Sequence, residues 1–151
     1  MKKYNFKYGY VSLYVDKNNF LYAIPSGENK KLNINATIDI LEILESPYTD
    51  DDIECFVYGM LELCYTKENE DINAPHPLEN HFNAKKWKIA TNNLKYINVN
   101  WEVNEGYEVR ASKKEKDGSY SGINKQQLLG FNPQPGELAR AIKQAIEDST
   151  C

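Results

Sequence analysis

The chain has 151 residues with a hydrophobic content of 41% and a charged content of 26%, which is typical of one globular domain with its own core. The net charge of −4 hides an asymmetry, because residues 36–79 contain twelve acids and one base while the rest contains ten acids and seventeen bases. A segment with a charge of −11 repels nucleic acid and attracts basic proteins, so it favours a basic protein partner.

The N-terminus and the cysteines predict where the protein resides. Residues 1–3 are followed by alternating polar and apolar residues rather than by an apolar run, so neither a signal peptide nor a membrane span is expected. Cys55 and Cys64 would face opposite sides of one helix and cannot pair, and Cys151 is terminal. Reduced thiols suit a reducing compartment, and we expect a cytoplasmic protein.

The first elements read as a hairpin. Residues 4–15 alternate as a strand, with tyrosines on one face and aliphatic side chains on the other. Residues 16–19 form a polar turn, and residues 20–24 form the return strand. The composition of residues 25–29 predicts a loop that closes this hairpin.

The next segment is ambiguous, and a clear helix follows it. Residues 31–44 fit two strands or a strand and then a short helix, and we favour the second interpretation. An apolar stripe at helical spacing predicts a helix over residues 50–66. Thr49 and Asp52 predict a capping box at its start, where carboxylates also complement the helix dipole.

Prolines interrupt the chain after this helix. Residues 68–78 are predicted to form a loop, because the prolines within it, including Pro77, disfavour a helix. Residues 79–90 fit a short helix with Phe82 and Trp87 turned inward.

The second half of the chain reads as a meander and a closing helix. Strands are predicted over residues 94–103, 107–111, 119–123 and 126–131. The apolar spacing of residues 136–148 predicts a helix whose stripe packs on the sheet. The whole chain, residues 1–151, is therefore expected to form a single α+β domain, with a curved, mostly antiparallel sheet and two main packed helices.

No catalytic pattern emerges from the sequence. His76 and His81 lack the spacing of a zinc-binding helix, and the glycines are scattered rather than grouped in a phosphate loop. Cys64 belongs to an apolar helical stripe, which is typical of core packing. These absences favour a binding protein over an enzyme, and we expect no cofactor and no metal.

Basic residues in the second half support an alternative function. They could form a nucleic-acid-binding face alongside Trp87 and Tyr96. The residues concerned are Lys85, Lys86, Lys88, Lys95, Lys113, Lys114 and Lys116. The acidic segment and a pI of about 5.3 argue against this alternative, which would show a steep salt dependence of DNA or RNA binding.

The layout of the chain carries a resemblance to a known family. It rests on the opening strands at residues 10–15 and 20–25, the acidic helix start at 51–53, residues 84–87, the meander at 94–113 and the closing stretch at 136–142. In this order the elements resemble the immunity proteins of bacterial contact-dependent growth inhibition (CDI) systems, of the CdiI type. The chain has Ala139 where the closing helix of that family often has glycine.

The resemblance implies a cytoplasmic protein that neutralises a toxin. Such immunity proteins bind the C-terminal toxin domain delivered by a neighbouring cell, and many of these toxins are nucleases with basic clefts. The immunity protein blocks the active site or an adjacent surface. The family has no catalytic residues to carry over, so no enzymatic activity is expected.

The residues themselves suggest which groups could contact such a toxin. Carboxylates can mimic the phosphates that a nuclease cleft attracts, although acidic helix faces also serve solubility alone. The acidic candidates are Asp50, Asp51, Asp52, Glu54, Glu68, Glu70 and Asp71. Exposed charges mainly raise the association rate, so tight binding also needs buried anchors. The tyrosines near these acids are the candidate anchors: Tyr48, Tyr58 and Tyr65.

Overall fold

A computed structural model describes residues 4–151, and residues 1–3, on which the signal-peptide prediction partly rests, lie outside the described residues. The described part is an antiparallel seven-stranded sheet with four helices in a single domain, which confirms the predicted α+β class. The strands are β1 (Tyr8–Val15), β2 (Leu21–Asn29), β3 (Ile34–Thr37), β4 (Glu42–Leu44), β5 (Lys95–Glu102), β6 (Gly106–Lys114) and β7 (Tyr120–Gly130). The helices are α1 (Asp50–Glu62), α2 (Pro77–His81), α3 (Trp87–Ala90) and α4 (Glu137–Asp148).

The strand order places β1 in the middle of the sheet. The order is β3-β2-β1-β5-β6-β7, and β4 also pairs with β2. β1 pairs with β5 along its whole length, from Tyr8 opposite Glu102 to Val15 opposite Lys95. This pairing joins two hairpins that are far apart in the sequence.

One face of the sheet is covered by α1 and α4. Alternate residues of β1 and β5 point into this core, and the apolar stripes of the two helices pack on them. The fully buried side chains include Val11, Leu13, Ile97, Val99, Ile53, Val57, Leu138 and Ile142. Burial of one such side chain contributes about 1.5–3 kcal/mol, so this face supplies most of the driving force for folding.

The opposite face of the sheet is covered over part of its area. The α2–α3 segment packs Leu78 and Ala90 against Tyr14 and Tyr22 in a second, smaller core. The side chains of Tyr8, Tyr10, Ser12 and Asn98 line an open cavity on the same face.

The loop predicted over residues 25–29 is wrong, because these residues complete β2. β2 changes its partner at Pro25: residues 21–25 pair with β1, and residues 26–29 pair with β3. Proline has no N–H to contribute at this change of partner, and the Pro25 carbonyl accepts a 3.1 Å hydrogen bond from the backbone N–H of Ile38.

The short helix favoured within residues 31–44 is also wrong, whereas the strand before it is confirmed as β3. β3 pairs with residues 26–29 of β2, which leaves the backbone of residues 21–23 in need of a partner on that side. β4 supplies that partner, since Glu42–Leu44 pair with residues 21–23.

The helices around the prolines differ in detail from the prediction. α1 starts at Asp50 as predicted, but it ends at Glu62, and Tyr65 then adopts a φ of 65° that turns the chain toward β2. α2 begins at Pro77, so the prediction that Pro77 disfavours a helix is wrong. The first residue of a helix makes no intrahelical hydrogen bond through its N–H, so proline, which lacks this group, is tolerated there. Phe82 is 40% exposed rather than turned inward, whereas Trp87 packs against the second core.

The second half of the chain follows the prediction more closely. The first two predicted strands are confirmed as β5 and β6, and the closing helix is confirmed as α4. The two short strands predicted after them are one strand, β7, whose pairing with β6 has irregular register at two places. At Gly106, φ is 84° and a Cβ atom would lie 2.3 Å from the Gly130 carbonyl oxygen, so this turn requires glycine.

Glu54 connects the two large helices. Its carboxylate accepts hydrogen bonds of 3.1 Å from the Gly136 N–H and 3.0 Å from the Ala139 N–H, at the N-terminus of α4. Gly136 has no side chain to cap the helix, so an acid from α1 supplies the acceptor and also complements the helix dipole.

Replacing Glu54 by alanine should therefore destabilise the domain. Glu54→Ala leaves the half-buried N–H of Gly136 and the buried N–H of Ala139 without an acceptor, and we expect the free energy of unfolding to fall by about 1–3 kcal/mol in urea titrations. Cys55→Ala, at the exposed neighbouring position of α1, is the control and should change it by less than about 0.5 kcal/mol. Equal effects of the two substitutions would contradict this role for Glu54.

Candidate partner-binding surface

The acids at the start of α1 are largely engaged within the protein. The Asp52 carboxylate accepts the Thr49 N–H at 2.9 Å, and the Thr49 hydroxyl accepts the Asp52 N–H at 3.1 Å, which confirms the predicted capping box. Asp50 forms an ion pair with Lys143 of α4. Asp51 is exposed, and its carboxylate makes no hydrogen bond or ion pair within residues 4–151.

Glu54, one of the predicted contact residues, lies between α1 and α4 rather than on an exposed acidic surface. Its residue exposure is 9%, and its carboxylate is occupied by the N-terminus of α4. The sequence places Glu54 beside the three aspartates, but it follows Asp50 by four positions and therefore lies on the same side of α1, the side that faces α4. Of the four acids predicted at this end of α1, Asp51 is the one most available to a partner.

The second group of predicted acids lines a groove of about 760 Å³. Five carboxylates line it, together with the bases Lys67 and His76 among the described residues. The acids are Asp39, Glu68, Glu70, Asp71 and Glu79. We call this cavity the acidic groove. Its net negative charge suits it to hold lysine or arginine side chains.

Asn69 holds the loop that forms one wall of the acidic groove. Its N–H donates to the Glu28 carbonyl at 3.0 Å, and its side-chain amide donates to the Thr37 carbonyl at 2.8 Å. The side-chain oxygen of Asn69 accepts a 3.0 Å hydrogen bond from Asn29. These bonds attach Asn69 to β2 and β3, and so hold the acids on either side of it, Glu68 and Glu70, in the same groove as Asp39.

The acids of the groove differ in how far they are already paired. Glu68 forms a 2.8 Å ion pair with Lys30, but both side chains are more than half exposed, and such pairs contribute little. Glu79 accepts the His76 N–H, and Asp71 accepts the Asn73 N–H in a turn. The carboxylate of Glu70 makes no hydrogen bond or ion pair within the part of the chain that the structure describes. Glu70 and Asp71 are thus exposed charges that a basic partner can reach.

His76 forms part of the groove wall in its neutral form. Its Nδ1 accepts the N–H of Leu78 at 3.1 Å and so caps α2, while its ring packs edge-on against Trp87 with centroids 4.5 Å apart. Burial lowers the pKa of His76 from 6.5 to about 4, against the opposing effect of nearby Glu79. The groove therefore carries no histidine charge at neutral pH.

The three predicted tyrosine anchors do not cluster at the groove. The Tyr48 hydroxyl donates to the Asn19 carbonyl at 2.7 Å, and the Tyr58 ring packs edge-on against Tyr107. The Tyr65 hydroxyl donates to the Tyr8 carbonyl at 2.7 Å. None of the three is among the described residues that line the acidic groove.

Asp39 and Glu79 complete the groove but were absent from the predicted contact residues. Both belong to the acid-rich segment of residues 36–79, so the charge count contained a signal for them. Their selection required knowing that the end of β3 and the start of α2 meet across the loop of residues 67–71. Sequence neighbours of the other acids could not reveal that contact.

The lysines of the second half are partly committed to internal contacts. The Nζ of Lys95 donates to the Ile146 carbonyl at 2.7 Å, Lys114 donates to the Thr91 carbonyl, and Lys113 pairs with Glu115. Lys114 also lies over the ring of Tyr120, 5.6 Å from its centroid. This arrangement gives no specific support to a nucleic-acid-binding face.

Among residues 4–151, no group of three or more His, Cys, Asp or Glu side chains is placed to hold a metal ion. No helix in the described range is both long enough and apolar enough to cross a membrane.

Comparison with known proteins identifies a shared fold. No protein-family model matches this chain, and no curated protein sequence matches it. The solved structure of the "Protein of Unknown Function NMB0488" from Neisseria meningitidis is similar, with a TM-score of 0.73 over 99% of this chain and 100% of that chain. The sequence identity is 12%, so the likeness extends to the fold alone.

The pKa of His76 leads to a prediction about acid stability. Because the pKa of His76 is lowered from 6.5 to about 4 in the folded protein, the unfolded chain takes up the proton more readily. The stability that neutral His76 contributes is complete above pH 6.5 and is lost as the pH falls toward about 4.

His76→Asn removes the titrating group and keeps an acceptor that is favoured at helix N-caps. We expect urea titrations at pH 7.5 and pH 4.5 to show a smaller loss of unfolding free energy for this variant than for the wild type. An identical loss in both proteins would contradict the assignment of this pH dependence to His76.

Proposed function

We propose that this protein is a cytoplasmic immunity protein that binds and neutralises the C-terminal toxin domain of a contact-dependent growth inhibition system. The proposal takes the toxin to be an enzyme with a basic substrate cleft, such as a nuclease, and the immunity protein to be a non-catalytic inhibitor. The observation that carries it is the acidic groove, in which five carboxylates from three separate segments line one cavity. The resemblance in layout to CDI immunity proteins supports the same function.

The electrostatics of the groove suit capture of a basic protein. A cleft lined by charges of one sign focuses the field and raises the association rate of an oppositely charged partner by about 10- to 1,000-fold. Salt screens this attraction over about 8 Å at physiological ionic strength, so the rate should fall as salt is added. A nuclease cleft that attracts phosphates presents the complementary charge.

The internal contacts of each acid indicate how available it is to a partner. Glu70 and Asp71 are exposed in the groove, whereas Asp50 and Asp52 serve α1 and its contact with α4. The toxin would therefore approach the groove rather than the start of α1. Its position there would block either the toxin's active site or an adjacent surface.

The function itself is tested by neutralisation in living cells. Immunity genes lie beside their toxin genes, so the C-terminal domain encoded immediately upstream is the toxin to express. We expect induction of this domain in Escherichia coli to stop growth and co-expression of the present protein to restore it. Continued growth arrest, with no complex detected between the purified proteins, would contradict the proposed function.

The role of the groove is tested by charge reversal. The variant Glu70→Lys/Asp71→Lys should slow association with the purified toxin domain by about tenfold or more at low salt and flatten its salt dependence, as measured by stopped-flow fluorescence. The control Glu105→Lys/Glu147→Lys changes the net charge equally at exposed positions outside the groove, and it should alter the rate by less than about threefold. Equal effects of the two pairs would show that net charge acts rather than the groove.

A further inference from the structure

The open part of the sheet face lies beside the acidic groove. A cavity of about 430 Å³ is lined by side chains of β1, β5, β6 and β7. Thr37 lines both this cavity and the acidic groove. The two are also joined by His76, on the groove wall, whose ring packs edge-on against Tyr14 of the sheet cavity with centroids 6.1 Å apart. The two cavities therefore form adjoining parts of one surface.

Tyrosine rings dominate this sheet cavity. Tyr8 and Tyr10 lie with their ring centroids 6.2 Å apart, and Tyr96 contacts both Tyr14 and Tyr120 at 5.1 and 5.3 Å. Tyrosine provides a large contact area at a low cost in conformational entropy, and it is enriched at protein interfaces. A sheet face with exposed rings of this kind resembles the buried centre of an interface more than an ordinary solvated face.

Polar groups among the rings of the cavity keep unused hydrogen-bonding capacity. Ser12 is 3% exposed, and within residues 4–151 its hydroxyl has no hydrogen-bond partner. Asn100 donates to the Asn98 side-chain oxygen at 2.9 Å, and Asn98 donates to the Tyr96 hydroxyl at 3.1 Å. This chain of bonds leaves the hydroxyl hydrogen of Tyr96, which lines the cavity, as a donor. Such groups match the N–H and C=O groups of a peptide backbone.

The charges define the chemistry of the occupant. Arg110 lines the sheet cavity but is paired with Glu108 on the same strand, so this side of the surface is close to neutral. The acidic groove on the other side of Thr37 is strongly negative. A matching segment carries lysine or arginine at one end and uncharged side chains along the rest.

We propose that the sheet cavity and the acidic groove together form one docking surface for an extended segment of the protein partner, with basic residues in the groove and uncharged residues over Tyr8, Tyr10 and Asn98. This inference rests on the proposed function and names the part of the partner that is recognised. The tyrosines supply the buried contacts that limit dissociation, while the acids accelerate association.

The test measures the Kd of the upstream-encoded toxin domain by isothermal titration calorimetry. Tyr8→Ala and Asn98→Ala should each raise the Kd about tenfold or more. Phe82→Ala is a matched control, because Phe82 is 40% exposed against 37% for Tyr8 and lines neither the groove nor the sheet cavity. It should leave the Kd within about twofold. Thermal unfolding of each variant checks that it is folded.

The possible outcomes separate the inference from the proposed function. If the groove variant Glu70→Lys/Asp71→Lys weakens binding while Tyr8→Ala and Asn98→Ala do not, the sheet cavity is not part of the docking surface and the inference is overturned, although the proposed function stands. If the wild-type protein does not bind the toxin domain, both fail. If sedimentation shows a dimer that Tyr8→Ala dissociates, the cavity binds a second copy of this chain, and the inference is likewise overturned.

Discussion

The pairing of β1 with β5 is the contact on which the rest of the structure depends. It aligns eight residues of each strand, from Tyr8 opposite Glu102 to Val15 opposite Lys95, and it closes a long segment of chain between them. Closing that segment costs conformational entropy, and the burial of apolar surface must offset this cost. The alternate residues Val11, Leu13, Ile97 and Val99 provide that burial under α1 and α4. A shift of one residue in this register would place the aliphatic side chains on the opposite face.

The same register creates the candidate partner-binding surface. With the aliphatic residues turned toward the helices, Tyr8, Tyr10, Ser12 and Asn98 must face the other way. The α2–α3 segment covers part of that face, and the loop around Asn69 builds the acidic groove beside the remainder. The core and the proposed docking surface are thus two sides of one strand pairing.

The distribution of acids separates structural carboxylates from those available to a partner. Asp52 and Glu54 begin or cap helices, and Asp50 joins α1 to α4. Glu70 and Asp71 line the acidic groove, are exposed, and form no ion pair within the described residues. A function in which charge guides a basic protein to an adjoining aromatic face is consistent with both parts of this surface.

The sequence by itself determined the local elements and the charge asymmetry. Periodicity identified α1, α4 and the strands β1, β5 and β6, and Thr49 with Asp52 identified the capping box, because these signals depend on residues close together in the chain. Only the tertiary structure decided that residues 25–29 extend β2, that Glu54 serves α4, and that Asp39 joins Glu70 in one groove. Each of these depends on contacts between distant segments, whose backbone donors and acceptors find partners that no local pattern encodes.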